Sequence, residues 1–368
     1  MLINKYVSAT GASGNNGNTY ATAYTFTEMI NQMNSGLASG RLYNVFADGI
    51  YTRSATDTIA TGGTAAAPVF VRGCRVATGD GYLGRDISGL LITDNMPRIF
   101  YNTFFRLNIT AQWVFLESLY LSGSTSEDTV DVGANGAISM SKVINSNSTS
   151  SSAFGIDGNG QVVIFNNDVF LSSASALGGG IKAASSAVKI ISNRVEVLSP
   201  SASAAVSMLF SPLVAKNLII GNGGLDGILS NSTTATPTIM DNTIVGFRNG
   251  IRFSTGTTTL NLVMNNMITD NSGYGLNFQG CPVFTASSRL RDNVSGNQGF
   301  LNEIASNTSY GNVTGDLGGP ETDYIDVSSR NYNLKTTSLA AGSGIPYPAS
   351  IGAFQFRPSQ GGETSYSF

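Results

Sequence analysis

The sequence predicts an all-β solenoid: a single parallel β-helix with a short helix capping its N-terminal end and a cap and tail at its C-terminal end. Three observations predict it. First, two successive stretches repeat one pattern. Thr238 to Val245 is followed by Asn249 to Phe253, and Leu262 to Thr269 by Tyr274 to Phe278. Second, Asn167, Asn193, Asn217, Asn242, Asn266 and Asn293 form a column at intervals of 24 to 27 residues. Third, Gly155, Gly180, Gly227, Gly250, Gly275 and Gly299 form a second column of the same period, with Ala204 or Ala205 in one slot. An apolar residue follows each glycine: Ile156, Ile181, Ile228, Ile251, Leu276 and Phe300. Short strand-like runs at such a period mark a repeat architecture.

The physical reading is direct. Strands of successive coils stack about 4.8 Å apart, so identical side chains lie above one another. Stacked Asn amides hydrogen-bond along the column and need no ligand. Glycine is expected where the chain turns a corner with positive φ. Apolar residues flanking each column point inward.

The elements follow in order. Lys5 to Gly11 reads as a strand entering a Gly/Asn-rich loop that runs to Asn18. Thr25 and Glu28 have the spacing of a helix cap. Met29, Ile30, Met33 and Leu37 make one apolar stripe, and Gly36 marks the stop. Such a helix covers the open end of a solenoid, which would otherwise present unpaired strand edges. Tyr43 to Phe46, Ile50-Tyr51 and Ala67 to Gly73 read as strands, and Val114 to Leu121 as an early coil with Trp113 at its edge. About nine coils fit between Gly89 and Phe300, a body roughly 43 Å long. From Asn302 to Asp323 the pattern loosens into loops, and Pro358 to Phe368 is too polar for a core. Three segments result: residues 1–75 (opening strands and capping helix), 76–301 (coils) and 302–368 (cap and tail).

Composition narrows the function classes. Charged residues make up 12 %, and 43 glycines are present, which describes a polar, turn-rich β protein. The net charge of −3 comes without a basic cluster, so no nucleic-acid partner is expected. The first residues lack the apolar core of a secretory signal, and no run approaches membrane-spanning length. Cys74 and Cys281 read as two separate thiols. There are no histidines, which removes the commonest general base and metal ligand.

A resemblance rests on both ends of the chain. Tyr6-Val-Ser-Ala-Thr-Gly11, the Gly/Asn loop, the short helix, Ala47-Asp-Gly-Ile-Tyr51 and Gly63-Thr-Ala-Ala-Ala-Pro-Val69 resemble the opening region of right-handed parallel β-helix proteins of the pectate-lyase-like superfamily. Asn331-Tyr-Asn-Leu334, Ser338 to Gly344 and Ile351-Gly-Ala-Phe-Gln355 resemble its closing segment, with Ser350 where the usual form has Asp. The resemblance implies the fold, and it admits several functions. Lyases of this superfamily use acidic Ca²⁺ ligands with a nearby Arg or Lys base, and phage appendages use the fold as homotrimers.

The columns place the candidate chemistry. Asp241 and Asp292 each precede a ladder Asn but lie two coils apart, and Asp168 faces Arg194 as a surface ion pair. No acidic triplet is seen in one column, so no catalytic residue, metal ligand or cofactor is assigned. Lys182 and Arg252 both follow a Gly-Ile corner, on one face and three coils apart, as solvated charges. Arg252, Phe253 and Phe278 are the candidate glycan contacts, with Phe210 one or two coils earlier; a core role is expected for the aromatics. The sequence therefore favours a structural, non-enzymatic virion surface protein of a bacteriophage, a capsid decoration or tailspike-like appendage. Its expected partners are two further copies, other virion proteins and host cell-surface polysaccharide. The alternative is an extracellular polysaccharide lyase or hydrolase.

Overall fold

Stacked valine, isoleucine and leucine columns build the molecule. In the computed structural model, Ile138, Ile164, Ile190, Val214, Ile239 and Val263 lie in register on successive parallel strands, all fully buried. Leu121, Val143, Val169, Val195, Ile219, Ile244 and Ile268 do the same on a second face. Ile156, Ile181, Val206, Ile228, Ile251 and Leu276 do so on a third. Burying each such side chain contributes about 1.5–3 kcal/mol. Residues 2–75, 83–86, 90–102, 104–123, 127–146, 153–172, 178–231, 236–253 and 261–277 are described in full. Beyond them the backbone of further strands is described as far as residue 335.

Three parallel sheets result. Sheet A has twelve strands, from Ile3–Val7 to Thr308–Tyr310; sheet B has eleven, from Ile50–Arg53 to Val313–Thr314; sheet C has ten, from Asp57–Ile59 to Leu301–Asn302. The chain visits them in the order A, B, C on each turn. Between residues 89 and 300 the described strands number eight in sheet A, nine in sheet B and eight in sheet C, in keeping with the roughly nine coils that the sequence spacing predicted. The solenoid also continues where loops were expected. Leu301–Asn302, Thr308–Tyr310 and Val313–Thr314 add one strand to each sheet. An antiparallel hairpin, Tyr324–Asp326 with Asn331–Leu334, follows.

The capping helix, Phe26–Gln32, starts where expected, with Thr25 Oγ1 accepting from the Glu28 N–H at 3.0 Å. Phe26, Met29, Ile30 and Met33 close the end of the core. The stripe stops there: Gly36 breaks the helix with φ +80°, which turns Leu37 out to solvent. Asn34 binds the free edge of sheet C, donating to Thr58 O at 2.8 Å and accepting from Ala60 N at 2.8 Å. That occupies backbone groups that an exposed edge would offer to another strand. Among the described residues no helix is long and apolar enough to cross a membrane.

The asparagine column lies at the corner between sheets A and B. Each Oδ1 accepts both the backbone N–H and the side-chain amide of the Asn one coil earlier, at 2.9–3.0 Å, from Asn167 through Asn193, Asn217 and Asn242 to Asn266. Asn293 lies outside the described residues, and Ser141 takes the place of Asn one coil before Asn167.

The corner itself is not made by glycine. The residue before each ladder position, namely Met140, Asn166, Ser192, Lys216, Asp241 and Asn265, has φ between 48° and 58°. Gly155, Gly180, Gly227 and Gly250 are needed for space instead. A Cβ would lie 2.7, 2.4, 2.4 and 2.3 Å from a methyl of Val169, Val195, Ile244 and Ile268 across the core. Gly275 is buried beside Leu276, and Gly299 lies outside the described residues.

Candidate functional site

The outward-pointing residues of sheet C form one column, of which Ser207, Leu229 and Asn277 are buried. Its residues pair in register as Thr58, Asn108, Asp131, Asp157, Lys182, Ser207, Leu229, Arg252 and Asn277. Strand alternation places them outward because Val130, Val132, Ile156 and Ile181 beside them are buried. Lys182 and Arg252 are thus on one face three strands apart, as read from the sequence. They are not isolated charges. Lys182 Nζ lies 2.6 Å from Asp157 Oδ2, and Arg252 makes a two-point pair with Asp226 at 2.9 and 2.6 Å.

Two acids of this column, Asp131 and Asp157, meet a third that stands beside it, so an acidic cluster forms although no triplet shares one column. Carboxylate oxygens of Asp128, Asp131 and Asp157 all lie within 4.8 Å of one another. Asp131 and Asp157 are register partners on Val130–Val132 and Phe154–Gly158. Asp128 stands just before the first of these strands, where its Oδ1 accepts from Phe154 N. Arg106 reaches the cluster from the preceding coil, with Nη1 3.0 Å from Glu127, 3.8 Å from Asp128 and 3.2 Å from Asp131.

The electrostatics follow from crowding. Asp128 is 7 % exposed. Burial, then the Asp131 and Asp157 charges, push its carboxyl up to about 7 against the pull of the Phe154 N–H. Asp131 is also raised, by burial first, with Arg106 opposing. Burial alone would lower the Lys182 ammonium; its hydrogen bond to Asp157 and the surrounding carboxylates outweigh this and hold it above the usual lysine value. Asp128 therefore keeps its proton to a higher pH than an ordinary carboxyl, and Lys182 stays charged.

Asp131 Oδ1 and Asp157 Oδ1 are both buried and make no hydrogen bond. Two orphaned carboxylate oxygens beside a third carboxylate form a hard oxygen donor set of the kind that suits Ca²⁺. Asp128, Asp131 and Asp157 would hold such an ion.

The other candidates fall elsewhere. Phe253 is fully buried in the core and cannot touch a glycan; Phe278 lies outside the described residues; Phe210 is 46 % exposed, not core. Asp168 faces Arg194 in register, but neither is on the surface. Arg85 and the Leu91 N–H bind Asp168 from above, and Arg194 pairs with Glu196 at 3.3 Å. Cys74 is buried, and burial pushes its thiol up to about 12. Cys281 lies outside the described residues.

Asp157 was within reach of the sequence. It follows Gly155-Ile156 as Lys182 follows Gly180-Ile181 and Arg252 follows Gly250-Ile251. Stepping the register back one coil from Asp157 reaches Asp131.

These sheets and ladders define the chain as a right-handed parallel β-helix of pectate-lyase-like fold. Two solved structures are similar over nearly their whole length. Pectate lyase Pel9A superposes with a TM-score of 0.67 at 13 % identity, covering 96 % of each chain. A rhamnogalacturonan lyase superposes with a TM-score of 0.56 at 11 % identity, covering 94 % of this chain and 96 % of the other. No family model and no curated protein matches the sequence.

Proposed function

We propose that the chain acts on an acidic polysaccharide, which it holds along the outward column of sheet C and cleaves at Asp128, Asp131 and Asp157. The observation that carries this reading is the three-carboxylate cluster set between Arg106 and Lys182. The two similar structures, both polysaccharide lyases by name, support it.

Arg106 and Lys182 supply fixed positive charge for a sugar carboxylate, and without a bound cation Asp128 keeps its proton to a higher pH than an ordinary carboxyl. A divalent cation held by the three aspartates would bind the substrate carboxylate and make the carbon beside it more acidic. Arg106 and Lys182, paired with Asp131 and Asp157, offset part of the cluster's repulsion.

A binding-only version of this reading is the glycan-holding virion protein, trimeric on a phage particle, that the sequence favoured. The pairing of Lys182 with Asp157 and of Arg252 with Asp226 is compatible with it, since both cations already have partners. The similar structures give the virion setting no support.

Incubation with polygalacturonate, rhamnogalacturonan and bacterial capsular polysaccharides tests the proposal. Unsaturated, ultraviolet-absorbing ends report elimination, and new reducing ends without them report hydrolysis. Binding without either product sinks the cleavage reading and leaves the binding one.

A further inference from the structure

Sheet C carries a second polar concentration that the acidic site does not use. The corners and strands at Leu225–Asp226, Arg248–Arg252 and Ser272–Asn277 enclose a cleft of about 430 Å³, a size common among small-ligand sites. Arg252 stands three strands from Lys182 in the same column, roughly 14 Å away at the usual inter-strand spacing.

The charge of the cleft is decided by who neutralises whom. Asp226 is fully buried, and both its oxygens are taken: Oδ1 by Arg252 Nε at 2.9 Å and Asn249 Nδ2 at 2.8 Å, Oδ2 by Arg252 Nη2 at 2.6 Å. It has little left for a ligand cation. Arg248 is exposed and forms no ion pair among the described residues. The cleft is therefore cationic by one unit at its rim. Beside that charge lie the Asn249 and Asn277 amides and the partly exposed Tyr274 ring, a combination that suits a sugar bearing an anionic group.

We propose that this cleft is a second subsite that seats a uronate of the same polysaccharide, with Arg248 binding the sugar carboxylate and Tyr274 covering the ring. The inference rests on the reading that sheet C holds an acidic glycan. It adds a length requirement: a chain must span from the acidic cluster to the cleft to gain the extra affinity.

The test is calorimetric binding of oligogalacturonates to the full chain. Asp157→Asn serves as background so that the ligand is not consumed, and Arg248→Ala and Tyr274→Ala are the variants. Both substituted side chains are at least partly exposed, and circular dichroism with a melting curve checks their fold. Losing one charge-assisted contact should weaken a spanning oligomer by about tenfold. Binding of a trisaccharide at the acidic cluster should not change, and Arg248→Lys should restore part of the loss. Equal binding of the spanning oligomer by the Asp157→Asn background with and without Arg248→Ala overturns the subsite. So does equal affinity for a neutral chain of that length, or an Arg248 dependence seen only with a sulfated glycan. The two readings separate cleanly: Arg248-dependent binding with no cleavage by the wild type keeps the subsite and removes the reaction. Cleavage that ignores Arg248 does the reverse.

Discussion

Lys182 stands one coil beyond Asp157 in a single outward column, and its Nζ lies 2.6 Å from Asp157 Oδ2. The pair satisfies one oxygen of Asp157 and leaves the other, Oδ1, buried without a hydrogen bond. A side chain that is only half satisfied at the centre of an acidic cluster is a costly thing to keep for structure alone.

Asp157→Asn is therefore expected to abolish polysaccharide cleavage, by about a hundredfold or more if Asp157 takes part in proton transfer or ion binding. The fold should survive, since removing one of three crowded charges relieves repulsion. Lys182→Met should behave differently. It strands a largely buried carboxylate, at a cost of about 1–2 kcal/mol for a pair that is still partly solvated. Adding Asp157→Asn to Lys182→Met should recover most of that loss. Melting curves of the two single variants and the double variant give the coupling, and additive effects would contradict the pairing.

Calcium should raise the melting temperature of protein first treated with a chelator. An ion present at a hundred times its dissociation constant stabilises by about 2.7 kcal/mol, a shift of a few degrees for a chain of this size. Asp128→Asn, Asp131→Asn and Asp157→Asn should each reduce the shift. A melting temperature indifferent to Ca²⁺, Mg²⁺ and Mn²⁺ would mean that the two orphaned oxygens serve no cation.

Much of the fold could be read from residues because a solenoid repeats its own environment. The Asn193-to-Asn217 contact is the Asn217-to-Asn242 contact displaced by one coil, so a column of identical residues reports a real contact. The site was harder to read because function breaks the repeat. Asp128, Asp131 and Asp157 meet in coils that precede Asn167, where Ser141 replaces the ladder asparagine and the column that sets the register fades. Asp128 also lies outside a strand and joins the cluster through its bond to Phe154 N, which no periodicity signals. The corner was misread for a related reason. Positive φ is associated with glycine, but here Lys216, Asp241 and their counterparts adopt it, held by the ladder beside them.

Asn217→Leu should be among the most damaging single changes in the solenoid. The side chain is fully buried and accepts from Asn193 N and Nδ2 at 2.9 and 3.0 Å. It donates to Ile190 O, Ala215 O and Asn242 Oδ1, each at 2.9 Å. Leucine leaves the buried Asn193 N–H without its acceptor, at about 1–3 kcal/mol for a group that water cannot reach, and removes the other side-chain bonds, although Ala215 O keeps Ser192 N and Asn242 Oδ1 keeps the backbone N–H of residue 217. Asn217→Ser, which imitates Ser141, should cost less. Denaturant melts would rank the two variants, and equal effects would argue that the amide stack contributes nothing specific.

The role of the glycine column separates two physical accounts. If Gly227 served a left-handed corner, its backbone would be the constraint. The structure instead gives it space as its reason, because a Cβ there would sit 2.4 Å from Ile244 Cγ2 and 2.6 Å from Gly250 O. Gly227→Ala should destabilise by about 1–3 kcal/mol through overpacking. The real left-handed position nearby is Lys216, with φ 58°. Lys216→Gly relieves local strain of about 1 kcal/mol while adding unfolded-chain freedom of similar size, so its net effect should be close to zero. Paired melting curves decide the matter: a harmless Gly227→Ala together with a damaging Lys216→Gly would reverse the assignment of space to one column and backbone strain to the other.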